Sequence, residues 1–419
     1  MKTVDTKPHR TDRPLNIALL GYRSHPHVGG QGVYLKYLSR ALKARGHKVD
    51  VLSGPPYPEL DPDVDLIKIP SLNLYEHPKP SRALRWQHLK SWADIVEWWS
   101  KISGGFAEPY CFGRRVAKYL RTSDRRYDVI HDNQSLCYGL LTLQKLGFPI
   151  VSSIHHPITR DRALAIEEAP TWGHKVLVKR WYYFVHMQRK VAQNLHNITT
   201  VSYFSRRDIA NQFGRPVEKT TVIANGVDTR CFRPDPAVNP IPFRLMTTTS
   251  SDQAIKGFGV LLEALALLRQ DFPDIHLQVI GTLKKNGPNE KRMSELKLQD
   301  CVHFKNGLSH EEIASEYALS TVAVCPSLYE GFGLPAAEAM ACGVPLVSTS
   351  GGALAEVVGD AGLQCTPGDA GALAAHIHKV LRQPELAKKL SEAGRLRVLK
   401  HFSWDRVAEQ LEQYYRQQF

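Results

Sequence analysis

Several features are missing from this 419-residue sequence, and each absence excludes something. The seven cysteines (Cys111, Cys137, Cys231, Cys301, Cys325, Cys342 and Cys365) are scattered with no C-x-x-C spacing, which argues against a zinc site or a disulfide framework and for a reducing compartment. No apolar run approaches the ~20 residues needed to span a bilayer, and the opening "MKTVDTKPHRTDRP" lacks the apolar core of a signal peptide. Cytoplasmic localisation is therefore expected. Acidic residues are scarce in the first half only. Residues 1–215 hold 33 Lys+Arg against 18 Asp+Glu, or +15; the remainder holds 54 − 33 = 21 against 41 − 18 = 23, or −2. A half so basic suggests an anionic partner: nucleic acid, an acidic substrate or a membrane surface.

What is present is a plan that runs twice. With 43% hydrophobic residues the chain reads as globular, and its length favours two domains over one core. Apolar runs typical of buried parallel strands occur at 15–21, 48–54, 127–132, 149–155 and 197–202, and again at 243–250, 275–281, 302–307, 321–327 and 345–350. Helical patterns separate them. The expected fold is α/β, two doubly wound Rossmann-like domains facing across a cleft, because ligands in such sheets bind beyond the carboxyl ends of the strands. The expected domains are 1–215, joined by a final helix at about 403–419, and 216–402, with a linker within Phe213 to Lys219.

The segment "SLYEGFGLPAAEAMACGVP" (327–345) carries the most chemistry. Gly331 and Gly333 permit close backbone approach, Pro335 suits the first turn of a helix, and the alanines that follow are strong helix formers, so a helix is expected from about Leu334. Its free amides form an anion site. Glu330 precedes them and Glu338 lies one turn inside. Carboxylates repel phosphate but accept hydrogen bonds from hydroxyls. A ligand with phosphate at its centre and a hydroxylated ring at each side, a nucleotide-sugar, fits this order. An ordinary helix N-terminus is the competing reading of the stretch alone.

A second glycine loop, "HPHVGGQGVYLKYL", follows the first strand and opens a helix at about Val33. Its GGxG spacing is a poor dinucleotide fingerprint but suits a second sugar or anion contact. His155 stands at the carboxyl end of a strand, where ligand-contacting residues belong. The D-x-D in "LDPDVDL" (60–66) reads as a solvated loop, so no metal is expected.

Five segments, "GGQGVYLKYLSRALKARGHKVDVL", "VSYFSRRDI", "VIANGVDTRCFRP", "KGFGVLLEALALL" and "YEGFGLPAAEAMACGVPLVSTSGG", together resemble the family-four retaining glycosyltransferases of GT-B fold (glycosyl transferases group 1), in order from about residue 15 to 415. The resemblance implies a nucleotide-diphosphate-sugar donor on the second domain, an acceptor on the first, retention of anomeric configuration without a metal, and a final helix that returns to the first domain. It assigns catalytic roles to Glu330, which contacts the transferred sugar, to His155 and to Lys256. Donor contacts fall on Gly29, Gly30, Ser251, Lys256, Gly331, Phe332, Gly333, Leu334 and Glu338, with the amides of Gly333 and Leu334 on the diphosphate and Glu338 on the ribose. One position departs from the pattern: Ser251 stands where an R-x4-K pair has arginine, and a serine cannot supply bidentate charge.

The acceptor is read from two basic-aromatic segments, 82–106 and 172–191. Trp92, Trp98, Trp99, Trp181, Tyr182 and Phe184 alternate with Arg85, Lys90, Lys101, Lys175, Lys179, Arg180 and Arg189, a composition suited to helices lying on anionic lipid. The alternative is core aromatics with a solvated basic face. A membrane lipid or lipid-linked acceptor is expected, with the enzyme peripheral on the inner face of the cell membrane. A soluble phosphosugar acceptor, a GT-B epimerase or phosphorylase, and a catalytically silent nucleotide-sugar-binding module are the alternatives. Nucleic acid is not expected as a partner. The base and sugar stay open among UDP-, GDP- and ADP-sugars.

Overall fold

The computed structural model describes residues 13–26, 30–74, 76–167, 169–249 and 253–419. The chain divides into two compact units. The first comprises residues 1–200, 207–221 and 408–419, and the second 201–206 and 222–407.

In the first unit, strands β1 (Asn16–Gly21), β2 (Lys48–Ser53), β3 (Asp65–Lys68), β4 (Val129–Asn133), β5 (Ile150–Ile154), β6 (Asn197–Thr200) and β7 (Thr220–Val222) form one sheet in the order β3-β2-β1-β4-β5-β6-β7. β1 to β6 pair in parallel, with Ala18 opposite Asp50 on one side and Ile130 on the other. β4 and β5 are buried along their whole length, as strands with helices on both faces must be. In the second unit, β8 (Arg244–Thr248), β9 (His276–Ile280), β10 (Val302–Lys305), β11 (Val322–Cys325), β12 (Leu346–Thr349) and β13 (Leu363–Cys365) repeat the plan as β10-β9-β8-β11-β12-β13, all parallel. The strand order reverses between β1 and β4 in one sheet and between β8 and β11 in the other. Such switch points open a crevice beyond the strand ends.

The boundaries differ from the sequence expectation. The first unit extends to Thr221 because Thr220–Val222 adds β7 to the first sheet, beyond the linker placed at 213–219. Residues 201–206 belong to the second unit although the chain on both sides belongs to the first. The last helix, Trp404–Gln418, joins the first unit from Ala408 onward. There the Tyr415 hydroxyl bonds to His131 Nδ1 on β4, and Glu412 pairs with Arg45 at 2.7 Å. Part of "LDPDVDL" is not loop: Asp65 and Leu66 begin edge strand β3. Its carboxylates are spent on local ion pairs, Asp61 with Arg40 at 2.6 Å and Asp63 with Lys43 at 3.1 Å.

Candidate active site

The switch point of the second sheet carries most of the sequence-assigned residues. After β8 the chain makes a short 3-10 turn, Ala254–Lys256, and after β11 it makes the Ser327–Gly333 loop that enters the helix Leu334–Ala341. The two are stitched together by the Leu328 N–H, which donates to the Ile255 carbonyl at 2.8 Å. Side chains complete the link: Lys256 Nζ donates to Glu330 Oε1 at 2.7 Å, and Ser327 Oγ donates to the same oxygen at 2.8 Å. Both Lys256 and Glu330 are partly shielded from water.

The loop is rigid for identifiable reasons. Gly333 caps the helix in the left-handed region (φ 95°), where an added Cβ would stand 2.6 Å from Leu354 Cδ2. Phe332 is buried edge-to-face on Phe402, ring centroids 5.4 Å apart. The Glu330 carbonyl accepts from Ala353 N–H at 2.8 Å, and Gly352 lies so close beneath it that a Cβ there would meet the Glu330 oxygen at 2.3 Å. The second glycine pair of "STSGG" therefore serves as a floor for the loop. Among the described residues, the N–H groups of Phe332, Gly333 and Leu334 have no acceptor. Such amides at the positive end of a helix dipole are the arrangement that favours anions.

Glu338 lies one turn into that helix, half-buried, and desolvation pushes its carboxyl up to about 7. A carboxyl poised there changes state readily when a hydroxyl donor arrives. Ser251 lies outside the described residues, and so does Gly29.

In the first unit, Gly30 is the left-handed N-cap (φ 74°) of the helix Gln31–Ala44, which begins two residues earlier than expected. His155 follows β5 and is held from three directions. Its Nε2 bonds to Asn133 Oδ1 at 2.7 Å, its backbone N–H donates to Gln134 Oε1 at 2.6 Å, and the Tyr34 ring meets it edge-to-face at 4.8 Å. Asn133 also donates through Nδ2 to the Gln31 carbonyl at 3.4 Å, which ties His155 to the start of the glycine-loop helix. Sequence reasoning missed Asn133, Gln134 and Ser327. The residues after β4 stand at the switch point, and that position was the available signal.

The basic-aromatic segments separate into two kinds. Phe184 belongs to the core of the first unit, and Trp98 is anchored by its indole N–H on the Ser81 carbonyl at 3.1 Å. Trp92, Trp99, Trp172 and Trp181 are exposed, as are Ile102, Val176 and Leu177. The helix Trp172–Trp181 buries no residue at all. Arg23 donates through Nε to Glu108 at 2.9 Å.

Comparison with known proteins accounts for both halves. The model of "Glycosyltransferase Family 4" matches residues 28–230, and that of "Glycosyl transferases group 1" matches residues 245–397. The chain is 46% identical over 401 residues to the MMP alpha-(1->4)-mannosyltransferase of Mycolicibacterium hassiacum, covering 94% of this chain and 96% of that one. It is 29% identical over 398 residues to a glycogen synthase of Mycobacterium tuberculosis, covering 93% and 91%. Among solved structures, sucrose-phosphate synthase from Thermosynechococcus elongatus superposes with a TM-score of 0.68 at 25% identity, covering 96% and 98%. The chain belongs to the family-four, group 1 glycosyltransferases, and its fold is GT-B. It is a glycosyltransferase.

Proposed function

We propose that this enzyme transfers a mannosyl residue from a nucleotide-diphosphate sugar to a lipid or lipid-linked acceptor at an anionic membrane surface, with retention of configuration and without a metal. The 46% identity to an α-(1→4)-mannosyltransferase supports the sugar and the α linkage. As the nucleoside diphosphate leaves, charge grows on its phosphate oxygens, and Lys256 with the amides at the start of the Leu334–Ala341 helix would stabilise it. Glu330 would orient the sugar through its hydroxyls, and Glu338 the ribose. The acceptor proton would pass to the departing phosphate on the same face of the ring.

One observation carries the acceptor reading. The ten-residue helix Trp172–Trp181 contains Lys175, Lys179 and Arg180, no carboxylate, and no buried residue; Trp172 is 81% exposed and Leu177 55%. A helix of this length is marginal in water without packing, and burying a side chain such as Val or Leu is worth about 1.5–3 kcal/mol. Here that gain is only partly realised. Its C-terminal end is moored through Arg180 NH2 on Ser103 Oγ at 2.9 Å and the Trp181 ring 5.1 Å from Phe106. Exposed apolar side chains beside three cations match an anionic bilayer, where each cation contributes about 1 kcal/mol.

Co-sedimentation with vesicles tests it. Binding to phosphatidylglycerol-containing vesicles, weaker in high salt and lost in a Trp172→Ser/Leu177→Ser variant that keeps its melting temperature, is expected. Equal partitioning to zwitterionic vesicles, or none to either, would leave a soluble acceptor as the reading.

A further inference from the structure

The helix Tyr203–Phe213 opens with an arrangement its own capping does not require. Its first amides already have acceptors: Glu356 takes Tyr203 N–H at 2.8 Å and Phe204 N–H at 2.7 Å, and Ser202 Oγ takes Ser205 N–H at 2.9 Å. Yet the hydroxyls of Ser202 and Ser205 both donate to one carbonyl, that of Gly331, each at 2.9 Å. Both serines are fully buried. Residues 201–206 belong to the second unit although the chain on either side belongs to the first, so this short segment is a structural part of the donor-side unit.

A carbonyl that accepts two hydrogen bonds has both lone pairs engaged, and its peptide plane cannot swing without losing both. In a planar trans peptide the N–H points opposite to the C=O. Fixing the Gly331 carbonyl therefore fixes the direction of the Phe332 N–H, the first of the amides that have no acceptor. Without the clamp, glycine at 331 would leave that peptide free to rotate between two orientations. The neighbouring supports hold other atoms, the Glu330 carbonyl and the Phe332 ring. The two serines hold this one.

We propose that Ser202 and Ser205 are positioning residues for the donor's diphosphate: they aim the Phe332 amide at it and touch no substrate themselves. The inference rests on the glycosyltransferase reading of the Glu330–Leu334 loop. It predicts a defect confined to ligands that carry phosphate.

The test measures binding of UDP, GDP and ADP, and of the matching nucleosides, to wild type, Ser205→Ala, Ser205→Cys and Ser202→Thr. Ser205→Ala keeps the caps that Glu356 and Ser202 give the helix start, and Ser205→Cys keeps the volume with a poorer donor. Both should weaken the tightest diphosphate about five-fold, the scale of one hydrogen bond, while nucleoside affinity and melting temperature stay near wild type. Ser202→Thr, which retains hydroxyl and cap, should match wild type. Unchanged diphosphate affinity in both Ser205 variants, or an equal loss for nucleoside, would overturn the proposal. A wild type that binds none of the three diphosphates would overturn the reading of the loop, and the inference with it.

Discussion

Lys256 Nζ lies 2.7 Å from Glu330 Oε1, so the cation assigned to the diphosphate and the carboxylate assigned to the sugar neutralise each other across 74 residues of chain. On the proposed roles, donor binding would divide this pair, a phosphate competing for the ammonium and sugar hydroxyls for the carboxylate. Ser327, bonded to the same Glu330 oxygen at 2.8 Å, holds the carboxylate in place when the lysine leaves.

The pair separates two mutational outcomes. Glu330→Gln removes the charge that accepts sugar hydroxyls but leaves Lys256 available to phosphate. Turnover should fall by orders of magnitude while affinity for the bare nucleoside diphosphate holds or rises slightly. Steady-state rates and calorimetric titration with the diphosphate check both halves, and an equal loss of nucleotide affinity would show that Glu330 serves the phosphate instead.

Lys256→Ala acts on the leaving group. The ammonium's interaction strengthens as the diphosphate departs, so activation free energy should rise by about 2–4 kcal/mol, the range for one stabilising donor. Ser251, in place of the family arginine, cannot supply bidentate charge. A Lys256→Ala enzyme with nearly normal kcat would locate the stabilising charge elsewhere.

Glu338 supplies a pH signature. Burial raises its carboxyl to about 7, and if it holds the ribose, hydroxyls donate more strongly to the ionised form, so donor binding would favour loss of the proton. Affinity should rise with pH up to about 7 and then level, by as much as ~10-fold per pH unit on the rising limb. Isothermal titration in buffers of different ionisation enthalpy would count the released proton. In Glu338→Gln the slope should vanish.

The mooring of the last helix responds to acid. His131 is buried between the Tyr415 hydroxyl and Ser153 Oγ, 2.7 Å away, and burial lowers its pKa to about 3. The unfolded chain therefore binds a proton on this residue, between about pH 3 and 6.5, that the folded chain does not, so its contribution is intact above pH 6.5 and is lost as pH falls through that window. Melting temperature should decline on acidification. Tyr415→Phe strands the imidazole nitrogen and should cost about 1–3 kcal/mol at neutral pH, read from denaturant midpoints.

Much of this was legible in the sequence because it is local. Continuous apolar runs marked β1, β5 and β11, and glycine, proline and alanine around Leu334 marked the start of the donor-loop helix within a residue. β3, β7 and β13 were not legible: they are three- or four-residue edge strands carrying Asp65, Thr220 and Gln364, without the apolar pattern of a central strand. Nor could composition tell buried Phe184 from exposed Trp172, since similar aromatic residues serve a core or a surface and tertiary packing decides which. The Lys256–Glu330 pair and the Ser205–Gly331 contact join residues 74 and 126 positions apart, and only the fold brings them together.

The central claim is retaining transfer of a mannosyl group from a nucleotide-diphosphate sugar. It is tested most directly by incubating the enzyme with GDP-mannose and a lipid-linked or short oligomannoside acceptor and reading the one-bond C1–H1 coupling of the new linkage by NMR. The account predicts an α-mannoside, formed at undiminished rate in excess EDTA and abolished in Glu330→Gln. A β-linked product, or transfer that proceeds unchanged in Glu330→Gln, would contradict it.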